Sequence, residues 1–586
     1  MTRARPQGAP SRPMTATRIA LAAIAALLCA GPPAALARTP APAPVQSRQV
    51  VRDHAMVSAA NPLAAEAGIA ILKQGGNAVD AAVAIQAVLG LVEPQSSGLG
   101  GGAYLTYYDA RTGQVTDYTG RETAPAAAGP DFFLQPDGKP MPFFQAVLSG
   151  KSTGAPGVVA MLALAHDQHG RLPWSRLFGG AADLAEKGFE VSPRLAGYAA
   201  GNFPQAKAPD IWAYLSRPDG SRIQAGDILK NPAYARTLRL IAAEGPSAFY
   251  EGPIARDIAQ RVRKDPGGVL TEADIAAYRA KATPGLCAPY RIWVVCTPQP
   301  SSSGVSLLEM LGLLERTDID RRGPGDPVAW FEMAQAMRLA YADRDRWIGD
   351  PAFVKVPARG LLSAGYLDAR AGLIGQVAGP APEAGIPPGA PAAGADATTE
   401  AGGTSHFVVV DHQGNVVSMT TSVESVFGSG RMVDGFVLNN QLTDFSFLPR
   451  DRAGRPAANA VAAGKRPRSA MSPVVVLDRN GRFVAALGSP GGPAILAYNL
   501  KTLVGVLDWK LSMQRAIALP NLIAIGDRYG AEVEKFPPGV LEGLKARGIT
   551  LQPGRGENSG LHGVIVRGGR LEGGADPRRE GVVLTD

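Results

Sequence analysis

Apolar positions fall first into helical runs and later into strand pairs. Residues 62–73 form one helical run that stops at Gly75-Gly76, a C-terminal glycine signal. A second run starts behind Asn77, a favourable N-cap with Asp80 in the first turn, and reaches Glu93-Pro94. Val79, Ala82, Val83, Ile85, Ala87, Val88, Leu89 and Leu91 make it apolar nearly all round, which predicts a helix inside a large protein. A glycine-rich turn, 96–102, leads into a strand at 103–108, and 117–119 precede Arg121. The middle third, 155–375, reads as mainly helical with Pro-Gly punctuation. After residue 404 the pattern changes: 405–411 and 415–422 are strands around His412-Gln413-Gly414, and 474–478 and 482–487 repeat the design around Arg479-Asn480-Gly481. Helices follow at 494–506 and 512–518, then a last hairpin around 563–571. Helices flanking hairpin-built strands predict an α+β fold, a four-layer αββα sandwich rather than a parallel βαβ array.

Composition adds boundaries. The 46% apolar content of the 586 residues suits a packed core and excludes global disorder. Proline concentrates in an extended lead-in, 38–48, and in a low-complexity stretch, 377–403, read as a flexible linker. Of the net charge of +8, four units come from Arg3, Arg5, Arg12 and Arg18, in a segment without acids. The rest is nearly balanced and shows no basic stripe with interleaved aromatics, so nucleic acid is not expected as a partner. Residues 1–37 read as a secretory signal: Arg12 and Arg18, an apolar run over 19–30, and a small-x-small site at Ala35-Leu36-Ala37. That run is too short to span a bilayer core, and no other stretch reaches 18 unbroken apolar residues. The expectation is an exported protein, periplasmic or secreted, without a stable membrane span.

Beyond residue 37 only Cys287 and Cys296 remain. An oxidising compartment would let them pair. Residues 291–295 read as strand, however, and an extended strand would hold the sulfurs apart, so both states stay open. The six histidines form no metal-ligand pattern, and no metal or cofactor is implied.

The informative junction is Gly403-Thr404, where the linker ends and a core strand begins. A cut there would give Thr404 a free α-amine beside its own hydroxyl, a complete nucleophile-and-base unit. An unperturbed α-amine titrates near pH 8, which suits proton transfer at neutral pH. Glycine before the threonine would tolerate the backbone strain of self-cleavage. Gly150-Lys151-Ser152-Thr153-Gly154 fits a serine nucleophile elbow, but Pro156 would disturb the helix an elbow must launch.

The wording around the junction, TSHFVVVDHQGNVVSMTTS, FGSG, LNNQLTDFS, GKRPRSAMSP and LGSPGG, closely resembles the γ-glutamyltransferase family of N-terminal-nucleophile hydrolases. GGNAVDAAVAIQAVLGLVEPQSSGLGGGAYLTYYD and the GRETAP around Arg121 resemble its large-subunit half, and the likeness runs in order from about residue 49 to the end. It implies a precursor that cuts itself before Thr404 into a large subunit, 38–403, and a small catalytic subunit, 404–586, which share one fold. It implies Thr404 as nucleophile, carrying a γ-glutamyl ester that water or an acceptor amine resolves. Ser422 matches the hydroxyl that bonds the nucleophile, and Gly491 and Gly492 match the oxyanion hole. Arg121 matches the residue that grips the substrate α-carboxylate, Asp444 with Gln441 beside it the partner of the α-amine, and Ser469 a further carboxylate contact.

There are departures. Glu424 stands where well-studied members have Asn, and Ala470 where they have a second Ser. The loop between Ser446 and Lys465 is shorter than the lid of the bacterial enzymes and lacks its tyrosine. These changes favour hydrolysis over transfer and resemble relatives with acylase activity on glutaryl-cephalosporins, against which Asp444 argues, since a glutaryl group has no amine. A third possibility is an uncut, non-catalytic exported binding protein.

Overall fold

The computed structural model describes residues 50–52, 54–396, 398–400, 402–554 and 558–586. The expected signal, 1–37, and the lead-in, 38–48, lie outside the described residues. Two seven-stranded sheets form the centre. Their strands are β1 (Val50–Arg52), β2 (Met56–Ala59), β3 (Gly102–Asp109), β4 (Gln114–Thr119), β5 (Lys281–Pro284), β6 (Leu286–Tyr290), β7 (Trp293–Thr297), β8 (Thr404–Val410), β9 (Val416–Ser422), β10 (Val474–Asp478), β11 (Phe483–Gly488), β12 (His562–Arg567), β13 (Arg570–Ala575) and β14 (Val582–Thr585). One sheet runs β1-β13-β12-β11-β10-β7-β6 and the other β14-β2-β8-β9-β3-β4-β5, with every pair antiparallel. Each sheet therefore mixes strands from before and after the Gly403-Thr404 junction.

Three apolar clusters account for the layering. Val408, Val410, Val416, Val475, Leu477, Ala486 and Val564 fill the space between the sheets. Phe407, Val409, Val417 and Met419, the alternate positions, pack outward on α1 (Pro62–Lys73) and α2 (Ala78–Val92). Val474, Val476, Ala485 and Leu487 pack on α3 (Gly304–Leu314), α4 (Pro327–Trp347), α5 (Ile495–Leu507) and α6 (Met513–Ala518). Both faces of the central strands are dry, which is why FVVV reads as a continuous apolar run. The four-layer αββα expectation holds. Asn77 caps α2 in a capping box with Asp80, and all fifteen of its residues are buried. Among the described residues no helix is long and apolar enough to cross a membrane.

Two expectations change. The strand expected from residue 291 starts at Trp293, and Arg291 sits in the turn with φ 56°. The chain thus reverses between the cysteines, Cys287 and Cys296 become directly opposed partners on β6 and β7, and they form a disulfide. Among the described residues of 377–403 there is no helix and only one isolated bridge, Gly394 to Ala457, in line with their composition. Yet the segment is tied down rather than loose: Trp347 Nε1 donates to Gly385 O, Arg346 Nε to Ala393 O, and Asp396 and Glu400 pair with Arg468 and Arg344.

Two imidazoles share the dry space between the sheets, His406 on β8 and His562 on β12. Burial holds His406 well below the usual range and holds His562 at about 4. A histidine with a folded pKa below its unfolded value of about 6.5 is protonated first in the unfolded chain. Its contribution is complete above that pH and lost as pH falls toward 4. We expect the stability gap between wild type and His562→Gln to shift toward the variant by on the order of 3 kcal/mol between pH 7 and 4, read as paired denaturation curves. A pH-independent gap would contradict it.

Candidate active site

The β8–β9 register places Thr404, first residue of β8, directly opposite Ser422, last residue of β9. The turn between them is fixed by Asp411, whose carboxylate accepts from the Gln413 and Asn415 N–H groups, and by Gly414 at φ 81°. Thr404 Oγ1 donates to Ser422 Oγ at 3.1 Å, and Ser422 Oγ donates to Gly403 O at 2.9 Å and accepts from Glu424 N at 2.8 Å. One hydroxyl therefore touches both the threonine hydroxyl and the carbonyl of the peptide before it. Glycine at 403 answers to space rather than to backbone strain. Its φ is not left-handed, and a Cβ there would lie 2.4 Å from Glu424 O. Arg579 Nη1 donates to Thr404 O at 3.1 Å, and Ser405 Oγ donates to the buried Glu93 carboxylate at 2.6 Å, so the strand start is held on both sides.

The other end of the site is built on Arg121, just past β4. It is buried: Nε donates to Pro467 O at 3.1 Å, Nη2 to Arg468 O at 2.7 Å and to Asp444, and Nη1 to Gln441 Oε1. Gln441 and Asp444 share one short helical turn, Gln441–Asp444. Burial pushes the Asp444 carboxyl well above the usual range, the Glu424 charge adds to this, and Arg121 opposes it. Glu424 itself has φ 80°, and its carboxylate accepts from Ser425 Oγ and Asn440 Nδ2. Ser469 Oγ accepts from Met471 N at 3.1 Å, and its backbone is laced to residues 301–303. Ala470 brings no hydroxyl.

Arg121, Thr404, Ser422, Glu424, Gln441, Asp444, Ser469, Ala470 and Gly492 line one small cavity. Gly491 lines the larger adjoining cleft, together with Phe144, Tyr198 and Phe203. Gly491 and Gly492 have φ of 135° and 55°, conformations that side chains resist, and among the described residues neither N–H donates within the protein. Every residue expected at the site is thus in the cavity, beside it or, like Gly403, bonded to it.

Sequence reasoning missed Glu400, Met471 and Ile495, which line the same cavity, and Glu122 beside Arg121. Burial pushes the Glu122 carboxyl up to about 8 despite Arg121. Glu122 was visible in GRETAP as a charge next to Arg121; Glu400 had no signal, because its segment reads as linker. Ser152, of the elbow-like motif, lies in a short helical turn and donates to Ser149 O at 3.0 Å, and among the described residues no imidazole or carboxylate bonds it as a base.

The sequence model of the gamma-glutamyltranspeptidase family matches residues 64–585. The chain is 34% identical over 542 residues to a glutathione hydrolase proenzyme of Bacillus subtilis (strain 168), covering 90% of this chain and 91% of the relative. It is also 34% identical over 539 residues to an acylase ACY 1 proenzyme of Pseudomonas sp. (strain SE83), covering 90% and 92%. Among solved structures, a cephalosporin acylase from Bacillus halodurans superposes with a TM-score of 0.82 at 26% identity, over 94% of this chain and 99% of that one.

Proposed function

The chain belongs to the gamma-glutamyltranspeptidase family, and on that premise we propose that it is an exported, self-processing enzyme that cleaves γ-glutamyl amides such as glutathione. The observation that carries this reading is the Ser422 hydroxyl, which accepts from Thr404 Oγ1 and donates to Gly403 O inside the cavity of Arg121 and Asp444. In the precursor, Thr404 Oγ1 attacks the Gly403 carbonyl carbon while Ser422 polarises its oxygen, and the Gly403 C–Thr404 N bond breaks as the Oγ1 proton passes to the nitrogen that becomes the α-amine. The resulting ester is hydrolysed, giving a large subunit, 38–403, and a small one, 404–586. The freed α-amine then takes the proton from Thr404 Oγ1 as this oxygen attacks the substrate γ-carbonyl. The Gly491 and Gly492 N–H groups receive the oxyanion, a donor type worth about 10²–10³ in rate. The α-ammonium protonates the leaving amine, and water or an acceptor amine resolves the γ-glutamyl ester. Arg121 and Ser469 hold the α-carboxylate, and Asp444 with Gln441 the α-amine. The apolar run at 19–30 supports export to the periplasm or medium.

The test is N-terminal sequencing of every fragment, together with glutamate release from glutathione. A fragment beginning Thr404-Ser405-His406 with glutamate release is expected; a single uncut, inert chain would favour the binding-protein reading.

A second reading, an acylase for glutaryl-type amides, is favoured by Ala470, which removes a donor to the α-carboxylate. Faster release from glutaryl-7-aminocephalosporanic acid than from glutathione would establish it. Glu424 bears on the choice, because its charge helps to hold Asp444 protonated, and a neutral Asp444 grips an ammonium poorly. Glu424→Asn should move the acid limb of kcat/KM for glutathione to lower pH and lower KM on that limb. An unmoved limb would make Glu424 electrostatically passive.

A further inference from the structure

Beside the Arg121 end, the cavity is approached by two further guanidinium groups that the proposed chemistry does not use. Arg344, near the end of α4, and Arg468, just before Ser469, are both about 98–99% buried, with exposures of 2% and 1%. Three carboxylates face them. Asp345 lies 3.2 Å from Arg344 and 3.4 Å from Arg468. Asp396 lies 3.1 Å from Arg468, and Glu400 lies 2.5 Å from Arg344 and 3.4 Å from Arg468. The two cations hold the Glu400 carboxyl below its usual range against the effect of burial. Among the described residues Arg468 Nε has no hydrogen-bond partner.

The position of these carboxylates in the chain matters more than their number. Asp345 belongs to α4 and stays with it. Asp396 and Glu400 both lie in the segment that ends at Gly403, and Glu400 shares the cavity with Thr404. Cutting the Gly403–Thr404 bond frees one end of that segment. If the end beyond Asp396 withdraws, Glu400 leaves Arg344, while Asp396, whose N–H donates to Asp345 O at 3.0 Å, stays on Arg468; Arg344 then lacks its nearest carboxylate, and a buried cation short of a partner is unfavourable enough to recruit an anion. The planar forks suit a carboxylate.

We infer that Arg344 and Arg468 form a second carboxylate site, occupied by Glu400 in the uncut chain and opened by self-cleavage to a carboxylate on the substrate's leaving group. The preferred donors are then γ-glutamyl amides with two carboxylates, one for Arg121 and one for this pair. The inference rests on the γ-glutamyl reading and refines its substrate class.

The test compares glutathione with its C-terminal amide, which differ by one carboxylate, as substrates of the cut enzyme. Wild type should show a KM about tenfold lower for glutathione, the range of one charge-assisted hydrogen bond. Arg468→Gln should bring the ratio of the two KM values close to one, and Arg468→Lys should leave it between the two. Equal KM values in wild type, a comparison that needs no variant, would overturn the inference, as would a tenfold ratio that survives Arg468→Gln. If the cut wild type cleaves neither peptide, the γ-glutamyl reading itself fails and takes this site with it; cleavage of both with equal KM removes this site alone.

Discussion

Thr404→Ala should leave one uncut polypeptide and reduce glutamate release from glutathione by about 10⁴-fold or more, as losing a nucleophile does in other hydrolases. The substitution removes the attacking oxygen from both proposed reactions. It also removes the hydroxyl that Ser422 accepts, at 3.1 Å, while leaving the donation from Ser422 to Gly403 O available. The methyl of alanine fits where threonine already packs, and β8 keeps its ladder to β9 and β2, so folding should be unaffected. Thr404→Ser, which restores an oxygen at the same carbon, should cut and turn over. Intact mass and a denaturing gel read the first outcome, and glutamate release the second. An alanine variant that still yields two fragments would place the nucleophile elsewhere.

Arg121→Ala should raise KM for γ-glutamyl donors about 100-fold, the equivalent of losing the charged hydrogen bonds to one carboxylate. Its effect on self-cleavage should be small, because Arg121 touches neither Thr404 nor Ser422. The variant should also melt earlier than wild type. The side chain is buried, and its loss strands Asp444 and Gln441; breaking a buried ion pair by removing one partner costs about 3–5 kcal/mol. That cost is softened because Asp444 is already pushed toward its protonated form and can neutralise itself. Steady-state kinetics with glutathione, a gel for the two fragments and a thermal melt separate the three effects. An unchanged KM would mean that the α-carboxylate is held by another cation, for which Arg344 and Arg468, paired with the cavity-lining Glu400, are the candidates.

Much of the architecture was legible in the chain itself. Asn77 with Asp80 marks the start of α2, the Asp411–Asn415 turn closes the β8–β9 hairpin, and FVVV marks a strand with two dry faces. Each of these features acts within a few residues, so a short window of sequence contains its whole cause. The hairpin even carried part of the site, because once β8 and β9 pair across a fixed turn, Thr404 and Ser422 must meet. The family resemblance supplied the rest of the expected site, and the cavity gathers those residues together.

Where the reading fell short, the cause was not local. Whether Cys287 and Cys296 meet depended on a reversal at Arg291. That glycine 403 is needed for space depended on the backbone of Glu424 and Ser425 arriving from the next strand. The segment 377–403 has the composition of a linker, yet its carboxylates find buried guanidinium groups on α4 and before Ser469. Local periodicity, caps and turns by themselves determined the elements, the layering and the position of Thr404 at the head of a core strand. Only the tertiary structure decided which charges pair, such as Arg121 with Asp444 across 323 residues of chain, and which carboxylate occupies the cavity. The reason is physical: an ion pair is selected by burial and by which partners packing brings within about 4 Å, and neither is encoded within the reach of a single helix or hairpin.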